Sequence, residues 1–274
     1  MSGPLILGAG GRLGRALRQL ADSGAWEGGA EALWHGRQGD YAWDMLAEEA
    51  PADPRLARCR GVIVLAGRTS GDPQVLAQNA ALARAALTLA RREGLGPVLL
   101  LSTAAVYGGG ERAWSEDDVP APSAAYGESK LEMERAVADA PGACCLRLAN
   151  VAGSDALFGA MASGPVVLDR FADGTAPQRA YIGPLTLAQT LTRLIAAPAL
   201  PRVLNLAAPG TAAMDAVLRE AGADWSWRPA PETALRAMRL DTGLLQGLLA
   251  PPLPEISAKA LVTEARAAGW SRAA

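Results

Sequence analysis

The stretch PLILGAGGRLG, residues 4–14, places Gly8, Gly11 and Gly14 between an apolar run and a helical pattern. Glycines at this spacing between a strand and a helix are typical of a dinucleotide-binding turn. Gly8 permits the tight turn, Gly11 lets the backbone approach a pyrophosphate, and Gly14 lets the helix lie close to the strand. The sequence therefore predicts a dinucleotide site here, and the alternative interpretation is a plain tight turn.

Two features near this turn bear on which dinucleotide binds. The helix opens with Arg12 and Leu13, where free N–H groups and the positive end of the helix dipole face the phosphates. An acid at the end of the second strand would hold the ribose hydroxyls, whereas an arginine suits a 2′-phosphate. Residues 35–37 read His-Gly-Arg, so Arg37 favours NADP over NAD. The alternative is that Arg37 is an exposed loop residue.

Short apolar runs alternate with helical patterns over the first 150 residues. We predict strands at 4–9, 30–36, 61–67 and 143–151, a further strand that runs into a loop within 97–108, and helices at 12–24, 72–94 and 122–142. Strands that are apolar throughout and separated by helices predict a parallel sheet covered on both faces. The expected fold class is α/β, a doubly wound parallel sheet of the Rossmann type with a small C-terminal substrate lobe.

The pattern loosens after about residue 152. We predict a dinucleotide-binding domain at 1–155 and a substrate lobe at 156–274, intertwined with it because strands near 179–184 and 202–208 are expected to rejoin the sheet. A helix is predicted at 211–222. The proline-rich tail is expected to form only short pieces.

Composition excludes several classes of protein. With 26 basic and 28 acidic residues and a net charge of −2, the chain carries no electrostatic signature of nucleic-acid or membrane binding. His35 is the only histidine, which excludes histidine-rich metal sites, and no metal is expected. Three cysteines without Cys-x-x-Cys spacing fit a reduced, cytoplasmic protein. No signal peptide or transmembrane span is expected.

A second motif lies at the end of the fourth predicted strand and in the helix after it. Ser102 and Thr103 close that strand, at the edge where open α/β sheets bind ligands. Tyr126 and Lys130 are four residues apart, hence on one helix face, in a chain with four tyrosines and two lysines. A phenol has a reference pKa near 10, and a nearby ammonium would lower it toward a useful base. With a nicotinamide carrying the hydride, such a set interconverts a hydroxyl and a carbonyl.

Together these motifs resemble the extended short-chain dehydrogenase/reductase family of nucleotide-sugar epimerases, dehydratases and reductases. The similarity covers most of the chain. Its anchors appear in order as the glycine loop, WDM (43–45), LAG (65–67), Asn79, STAAVYG (102–108), YGESK (126–130) and RLANVAG (147–153).

The resemblance implies roles for individual residues. It selects Thr103 over Ser102 as the residue that orients the reacting oxygen, beside Tyr126 as base and Lys130 as its activator. The cofactor would also contact residues outside the glycine loop, namely Asp44, Met45, Ala66, Gly67, Arg68, Asn79, Tyr126 and Lys130. The substrate would contact Thr103, Asn150 and Arg179, the last matching an arginine that grips a nucleotide-sugar diphosphate. A homodimer through helices 73–93 and 123–139 is a further implication.

The sequence also departs from the family pattern. The segment after Arg179 lacks the usual valine and aspartate and reads Gly183-Pro184-Leu185-Thr186, and the substrate lobe is short. The predicted function is an NAD(P)-dependent oxidoreductase or epimerase acting on a sugar-like or nucleotide-sugar substrate. The alternative is a catalytically silent NAD(P)-binding scaffold or sensor.

Overall fold

The computed structural model describes residues 3–36 and 39–272. The helices are α1 (Arg12–Asp22), α2 (Glu27–Ala30), α3 (Pro73–Glu93), α4 (Ala125–Ala136), α5 (Ala156–Ser163), α6 (Pro184–Ile195), α7 (Met214–Ala221), α8 (Gly243–Leu248) and α9 (Ala258–Ala267). Short 3₁₀ helices lie at Leu56–Arg58 and Ala104–Tyr107. In the described part of the chain no helix is both long and apolar enough to cross a membrane.

The strands fall into a central sheet and smaller sheets. They are β1 (Leu5–Leu7), β2 (Leu33–Trp34), β3 (Val62–Val64), β4 (Val98–Leu101), β5 (Ala113–Trp114), β6 (Ala143–Leu148), β7 (Asn150–Val151), β8 (Val166–Arg170), β9 (Gln178–Arg179), β10 (Tyr181–Ile182), β11 (Val203–Leu206), β12 (Ala212–Ala213), β13 (Trp225–Pro229) and β14 (Ala237–Leu240).

The central sheet has six parallel strands in the order β2-β1-β3-β4-β6-β11. The chain runs outward from β1 in both directions, so the crevice beyond the carboxyl ends of β1 and β3 lies at the topological switch point. This arrangement confirms the predicted doubly wound α/β fold.

Alternate side chains of the strands enter two different cores. Ile6, Ile63 and Leu99 pack with α1 and α6 on one face, while Leu5 and Val62 pack with α3 on the other. Strands buried on both faces must be apolar at every position, which explains the runs that the sequence shows. Burial of this kind contributes roughly 25 cal/mol per Å² of apolar surface.

The capping of α3 shows how local sequence sets an element's limits. The Asp72 carboxylate accepts the Val75 N–H at 2.8 Å, and Pro73 occupies the first turn, where its missing N–H has no cost. Gly94 ends the helix with φ +66, a left-handed conformation that glycine adopts without strain. The observed helix, 73–93, confirms the one predicted over 72–94.

The second half of the chain builds a lobe over the carboxyl edge of the sheet. β8 pairs with β13, and a four-stranded sheet runs in the order β12-β9-β14-β5, so the segment 113–114 joins strands from the C-terminal part. β11 crosses back into the central sheet beside β6, whereas β10 pairs with β7.

The prediction of a tail made only of short pieces is wrong for one segment. Residues 258–267 form α9, whose Leu261, Val262 and Ala265 are buried in the lobe core. The Ser257 hydroxyl caps the helix by accepting the Ala260 N–H at 3.1 Å. The prolines at 251–254 all lie before this cap, so none of them interrupts the helix.

Candidate active site

The glycines after β1 divide into two kinds. Gly8 has φ +94, and a Cβ there would overlap the backbone of Ala66, while a Cβ on Gly14 would overlap the carbonyl of Ala9. These two positions need glycine because main chain lies against them. A Cβ on Gly10 would meet nothing within 4 Å, and one on Gly11 only the Gly8 oxygen at 3.5 Å. Gly11 thus leaves open space in front of the α1 N-terminus.

The start of α1 is free to bind an anion. Gly11 is its N-cap and offers no side-chain acceptor, so the first N–H groups of the helix stay uncapped. Leu13 packs partly buried against the core, whereas the exposed Arg12 reaches across the crevice and donates to the Ser154 carbonyl at 3.0 Å. Arg12 therefore links the glycine loop to the beginning of the lobe.

Three side chains one turn apart on α4 dock onto three consecutive residues at the end of β4. The Tyr126 phenol is hydrogen-bonded to Thr103. The Lys130 ammonium donates to the Leu101 carbonyl at 2.7 Å. The Glu134 carboxylate accepts the Ser102 hydroxyl at 2.5 Å. The residues at i, i+4 and i+8 lie on one face of α4, so this face fixes the helix against the strand end.

The electrostatics of Tyr126 differ from the sequence-based expectation. Burial raises the pKa of the phenol, and the hydrogen bond with Thr103 opposes this only in part. The expectation that Lys130 lowers this pKa is wrong for the protein alone, because the ammonium bonds the Leu101 carbonyl instead. The phenol is therefore protonated at neutral pH.

Lys130 is a buried cation without a carboxylate bonded to it in the described part of the chain. It is 5% exposed, and burial lowers its pKa to about 8. Among the described residues its hydrogen-bond partners are the Leu101 carbonyl and, at 3.7 Å, the Met133 sulfur. An ammonium has three donors, so this one retains capacity for further acceptors. A Cβ on Gly67 would stand 3.1 Å from the Lys130 nitrogen, which places the ammonium at the wall of the crevice.

Asn79 ties the loop after β3 to the helix that carries Tyr126. Its amide oxygen accepts the Arg68 N–H at 2.7 Å, and its amide nitrogen donates to the Arg68 carbonyl and to the Ser129 hydroxyl, both at 3.0 Å. The side chain is 1% exposed. The structure thus brings Ala66, Gly67 and Arg68 to the same crevice as the glycine loop and holds them there.

A buried polar network behind the active-site face was not anticipated from the sequence. Arg147, inside β6, donates to Glu134 at 2.9 Å and to the Tyr107 hydroxyl at 2.9 Å, and that hydroxyl donates to Asn205 at 2.7 Å. Arg147 and Glu134 are only 5% and 6% exposed. Two features of the sequence could have indicated this network: Arg147 lies within an apolar strand, and Glu134 follows Lys130 by four residues, on the same helix face.

The residues predicted to touch substrate are less closely grouped. Asn150 lies in β7 opposite Tyr181, whose hydroxyl donates to the Asp155 carboxylate at 2.6 Å. Arg179 is half-buried in β9, where it donates to the Gln178 carbonyl at 2.8 Å. Within residues 3–36 and 39–272 no carboxylate forms a salt bridge with Arg179, so its charge is available to an anion.

The predicted adenine-side residues follow the end of β2. Asp44 is exposed and accepts the Leu46 N–H at 3.0 Å, while Met45 is 7% exposed and packs in the core beside Trp43. Arg37, predicted to select NADP, lies outside the described residues. No group of three or more metal-ligating side chains occurs in the described part of the chain.

The departure noted after Arg179 has a structural explanation. α6 begins at Pro184 without a side-chain cap of its own, and the Glu264 carboxylate from α9 accepts both the N–H and the hydroxyl of Thr186, at 2.8 and 2.7 Å. A Cβ on Gly183 would overlap this carboxylate. The helix is thus capped from a residue 78 positions later in the chain.

The fold and the Thr-Tyr-Lys arrangement define the class of the extended short-chain dehydrogenases/reductases. A family model described as the RmlD substrate binding domain matches residues 4–161, more than half of the chain. The chain therefore belongs to the extended short-chain dehydrogenase/reductase family, which confirms the resemblance seen in the sequence. No curated protein has significant sequence similarity to the chain.

Solved structures share the fold along nearly the whole chain. UDP-glucose 4-epimerase from Brucella ovis in complex with NAD has a TM-score of 0.75 at 19% identity, covering 99% of this chain and 100% of its own. RMD from Pseudomonas aeruginosa, complexed with NADPH, has a TM-score of 0.74 at 17% identity, covering 97% and 99%. The dTDP-glucose 4,6-dehydratase DesIV from Streptomyces venezuelae, with NAD and TYD bound, has a TM-score of 0.69 at 19% identity, covering 96% and 95%.

Proposed function

We propose that this protein is an NAD(P)-dependent reductase or epimerase acting on a hydroxyl or carbonyl group of a nucleotide-linked sugar. One observation carries the proposal. Thr103, Tyr126 and Lys130 meet at the end of β4, in the crevice that the open glycine loop also borders. Tyrosine, lysine and a hydroxyl at the carboxyl edge of a doubly wound sheet suit proton transfer coupled to hydride transfer.

The residues present fit a nicotinamide dinucleotide. Open space at Gly10 and Gly11 and the uncapped start of α1 suit a pyrophosphate, and the spare donors of Lys130 suit ribose hydroxyls. Asn79 would hold the loop at Arg68 against the same ligand. When bound, the nicotinamide supplies or accepts the hydride, and the protein provides orientation and proton transfer.

The protonated state of Tyr126 supports carbonyl reduction. A phenol whose pKa is raised by burial is a proton donor at neutral pH, and it can pass its proton to a carbonyl oxygen as that oxygen becomes a hydroxyl. The Thr103 hydroxyl, bonded to the phenol, would orient the same oxygen. In the oxidative direction, which an epimerase needs first, Tyr126 would have to be a phenolate to take the proton of the hydroxyl, and the positive charge of a bound oxidised nicotinamide would favour that form.

Dehydration is the reaction of this class with the least support. Removing water from a sugar needs a further acid and base beside the reacting carbons. The residues that follow Thr103 in the short 3₁₀ helix are Ala104 and Ala105, which carry neither. A reductase or an epimerase needs no more than the three side chains described.

Arg179 supports a substrate with a diphosphate. Its guanidinium is half-buried in the lobe and lacks a salt bridge in the described part of the chain, and such a cation favours a phosphate partner. MoeE5, which shares the fold, has been solved in complex with UDP-glucose and with UDP-glucuronic acid, and both molecules contain such a diphosphate. We therefore propose Arg179 and Asn150 as substrate contacts.

The surroundings of Arg15 support NADP as the preferred cofactor. A cavity of about 590 Å³ lies between α1 and the end of β2, with Arg15, Arg18 and Gly36 in its wall. Arg18 is neutralised by Asp22 at 3.0 Å, whereas Arg15 donates to the Gly10 carbonyl and forms no salt bridge within the described residues. A cation at this place suits a 2′-phosphate, as does Arg37 in the sequence.

The experiment is a fluorescence titration with NADH and NADPH, followed by a screen of nucleotide-linked sugars and keto-sugars. We expect tighter binding of NADPH, with Arg37→Ala removing most of the difference, and turnover of at least one substrate. A reductase consumes the nicotinamide stoichiometrically, whereas an epimerase leaves its total unchanged. Equal affinities for the two nucleotides in the parent protein would refute the NADP preference.

Tyr126→Phe is the matched control, because it keeps the ring and removes only the hydroxyl. We expect it to bind the nucleotide nearly as well as the parent and to lose turnover. Full activity in this variant would refute the catalytic assignment. Nucleotide binding without turnover of any substrate in the parent would instead identify a silent scaffold.

A further inference from the structure

The only histidine of the chain lies between the glycine loop and the loop that follows β2. His35 is 6% exposed, and both nitrogens of its ring are engaged. The Gly8 N–H donates to Nδ1 at 3.1 Å, and Nε2 lies 2.8 Å from the Trp43 carbonyl oxygen. The ring therefore joins two segments that are 35 residues apart in sequence, because Gly8 and Trp43 both contact it.

These partners fix the protonation state of the ring. A backbone N–H can only donate, so Nδ1 must be an unprotonated acceptor toward Gly8. A carbonyl can only accept, so Nε2 must carry the proton toward Trp43. The neutral tautomer protonated at Nε2 alone satisfies both contacts, and an imidazolium would lose the bond to Gly8.

The backbone of His35 contributes to the same connection. Its carbonyl accepts the Ala9 N–H at 2.9 Å, and its own N–H donates to Ile6 at 2.9 Å. Gly8 in turn accepts the Gly11 N–H at 3.2 Å. His35 thus holds two consecutive residues of the turn whose open face borders the α1 N-terminus.

We propose that His35 is a positioning residue for the dinucleotide, which sets the shape of the glycine loop through Gly8 and links it to the adenine-side loop through Trp43. This inference rests on the proposed function, since it concerns binding at the same loop. The role that it assigns to His35 is exerted through the Gly8 N–H and the Trp43 carbonyl.

The surroundings of the ring keep it neutral. Burial lowers its pKa, and the bond to the Trp43 carbonyl opposes this only in part. The titratable group facing it is Tyr41, whose ring centre is 6.2 Å away and whose hydroxyl points elsewhere, donating to the Pro51 carbonyl at 2.8 Å. Asp44, next to Trp43, is exposed and bonded to the Leu46 N–H. On the glycine-loop side the ring meets the uncharged Gly8.

Two substitutions separate the two bonds. In His35→Asn the amide oxygen can stand near the place of Nδ1 and accept the Gly8 N–H, whereas in His35→Gln the amide reaches the place of Nε2 and keeps only the Trp43 contact. Binding is measured by fluorescence titration of each variant with NADH, which lacks a titrating 2′-phosphate, between pH 8 and pH 5.5. Melting temperatures of the nucleotide-free proteins are recorded alongside.

At pH 8 we expect His35→Asn to bind NADH within about 2-fold of the parent and His35→Gln to bind about 3–10-fold more weakly, the effect of one lost hydrogen bond. Because burial lowers the pKa of the ring, the parent should lose affinity only toward the acid end of this range, as the ring gains a proton, and His35→Asn should not. Equal affinities of the two variants, or a pH dependence kept in His35→Asn, would overturn the inference. If the parent binds neither NADH nor NADPH at any pH, the proposed function fails, and this inference with it.

Discussion

Glu134, on the face of α4 that packs against the end of β4, offers the sharpest test of what holds the active site in place. Glu134→Gln keeps the shape of the side chain and removes its charge. The Arg147 guanidinium, which is 5% exposed, would then lose its carboxylate partner and keep neutral acceptors, namely the glutamine amide oxygen, the Tyr107 hydroxyl at 2.9 Å and the Glu116 carbonyl at 3.4 Å. Breaking a buried pair from one side costs about 3–5 kcal/mol.

The expected loss can be read as a melting temperature. For a chain of this length 1 kcal/mol corresponds to about 2 °C, so Glu134→Gln should melt about 6–10 °C below the parent. Urea denaturation gives the same comparison as a free energy of unfolding. The control is Glu132→Gln, an exposed position on the same helix, which should stay within about 0.5 kcal/mol of the parent.

A combined variant tests the cause of the loss. Ser102→Ala, Glu134→Leu and Arg147→Met together remove the charge and its partners, so no buried ion is left unpaired. We expect this protein to be more stable than Glu134→Gln alone, because apolar replacement of a whole buried network is often neutral. The reasoning fails if Glu134→Gln behaves like its surface control.

Two further predictions concern other buried groups. Gly183→Ala should lower the melting temperature because its methyl group would overlap the Glu264 carboxylate, and Glu264→Ala in the same chain should not restore it, since the cap on Thr186 is lost; an unchanged melting temperature in Gly183→Ala would contradict this. The pKa of Lys130 is about 8 in the folded protein and ordinarily 10.5. Between pH 8 and pH 10.5 this amine is therefore protonated more fully in the unfolded chain than in the folded one. Its contribution to stability should therefore rise with pH from about 8 to 10.5, by roughly 3 kcal/mol at most, and Lys130→Met should lack this rise in urea unfolding. Identical pH dependence in the two proteins would refute the assignment.

Short-range patterns were sufficient for the central sheet. The strand, glycine turn and helix at 4–24 are determined by residues close in sequence, as are the caps of α3 at Asp72 and Gly94. The pairing of Tyr126 and Lys130 on one face also follows from helical spacing alone. These features need no knowledge of what packs against them.

Contacts between distant segments could not be predicted in the same way. The Glu264 cap on α6, the pairing of β5 with β14 and the two bonds of His35 each join residues that no periodic pattern relates. The pKa of Tyr126 also depends on burial that only the folded protein provides. Three-dimensional packing decided these points, and the sequence offered at most a residue type in an unexpected place.

The cap that Glu264 places on α6 has a consequence for shortened versions of the protein. A fragment ending before α9 would lose the carboxylate bonded to Thr186 as well as the helix that carries it. α6 packs under the central sheet, with Leu187, Leu191 and Leu194 fully buried, so fraying at its start would reach the core that supports the nucleotide crevice. Trimming the C-terminal segment to aid crystallisation would therefore weaken the core around β1 and α1, at the opposite end of the chain.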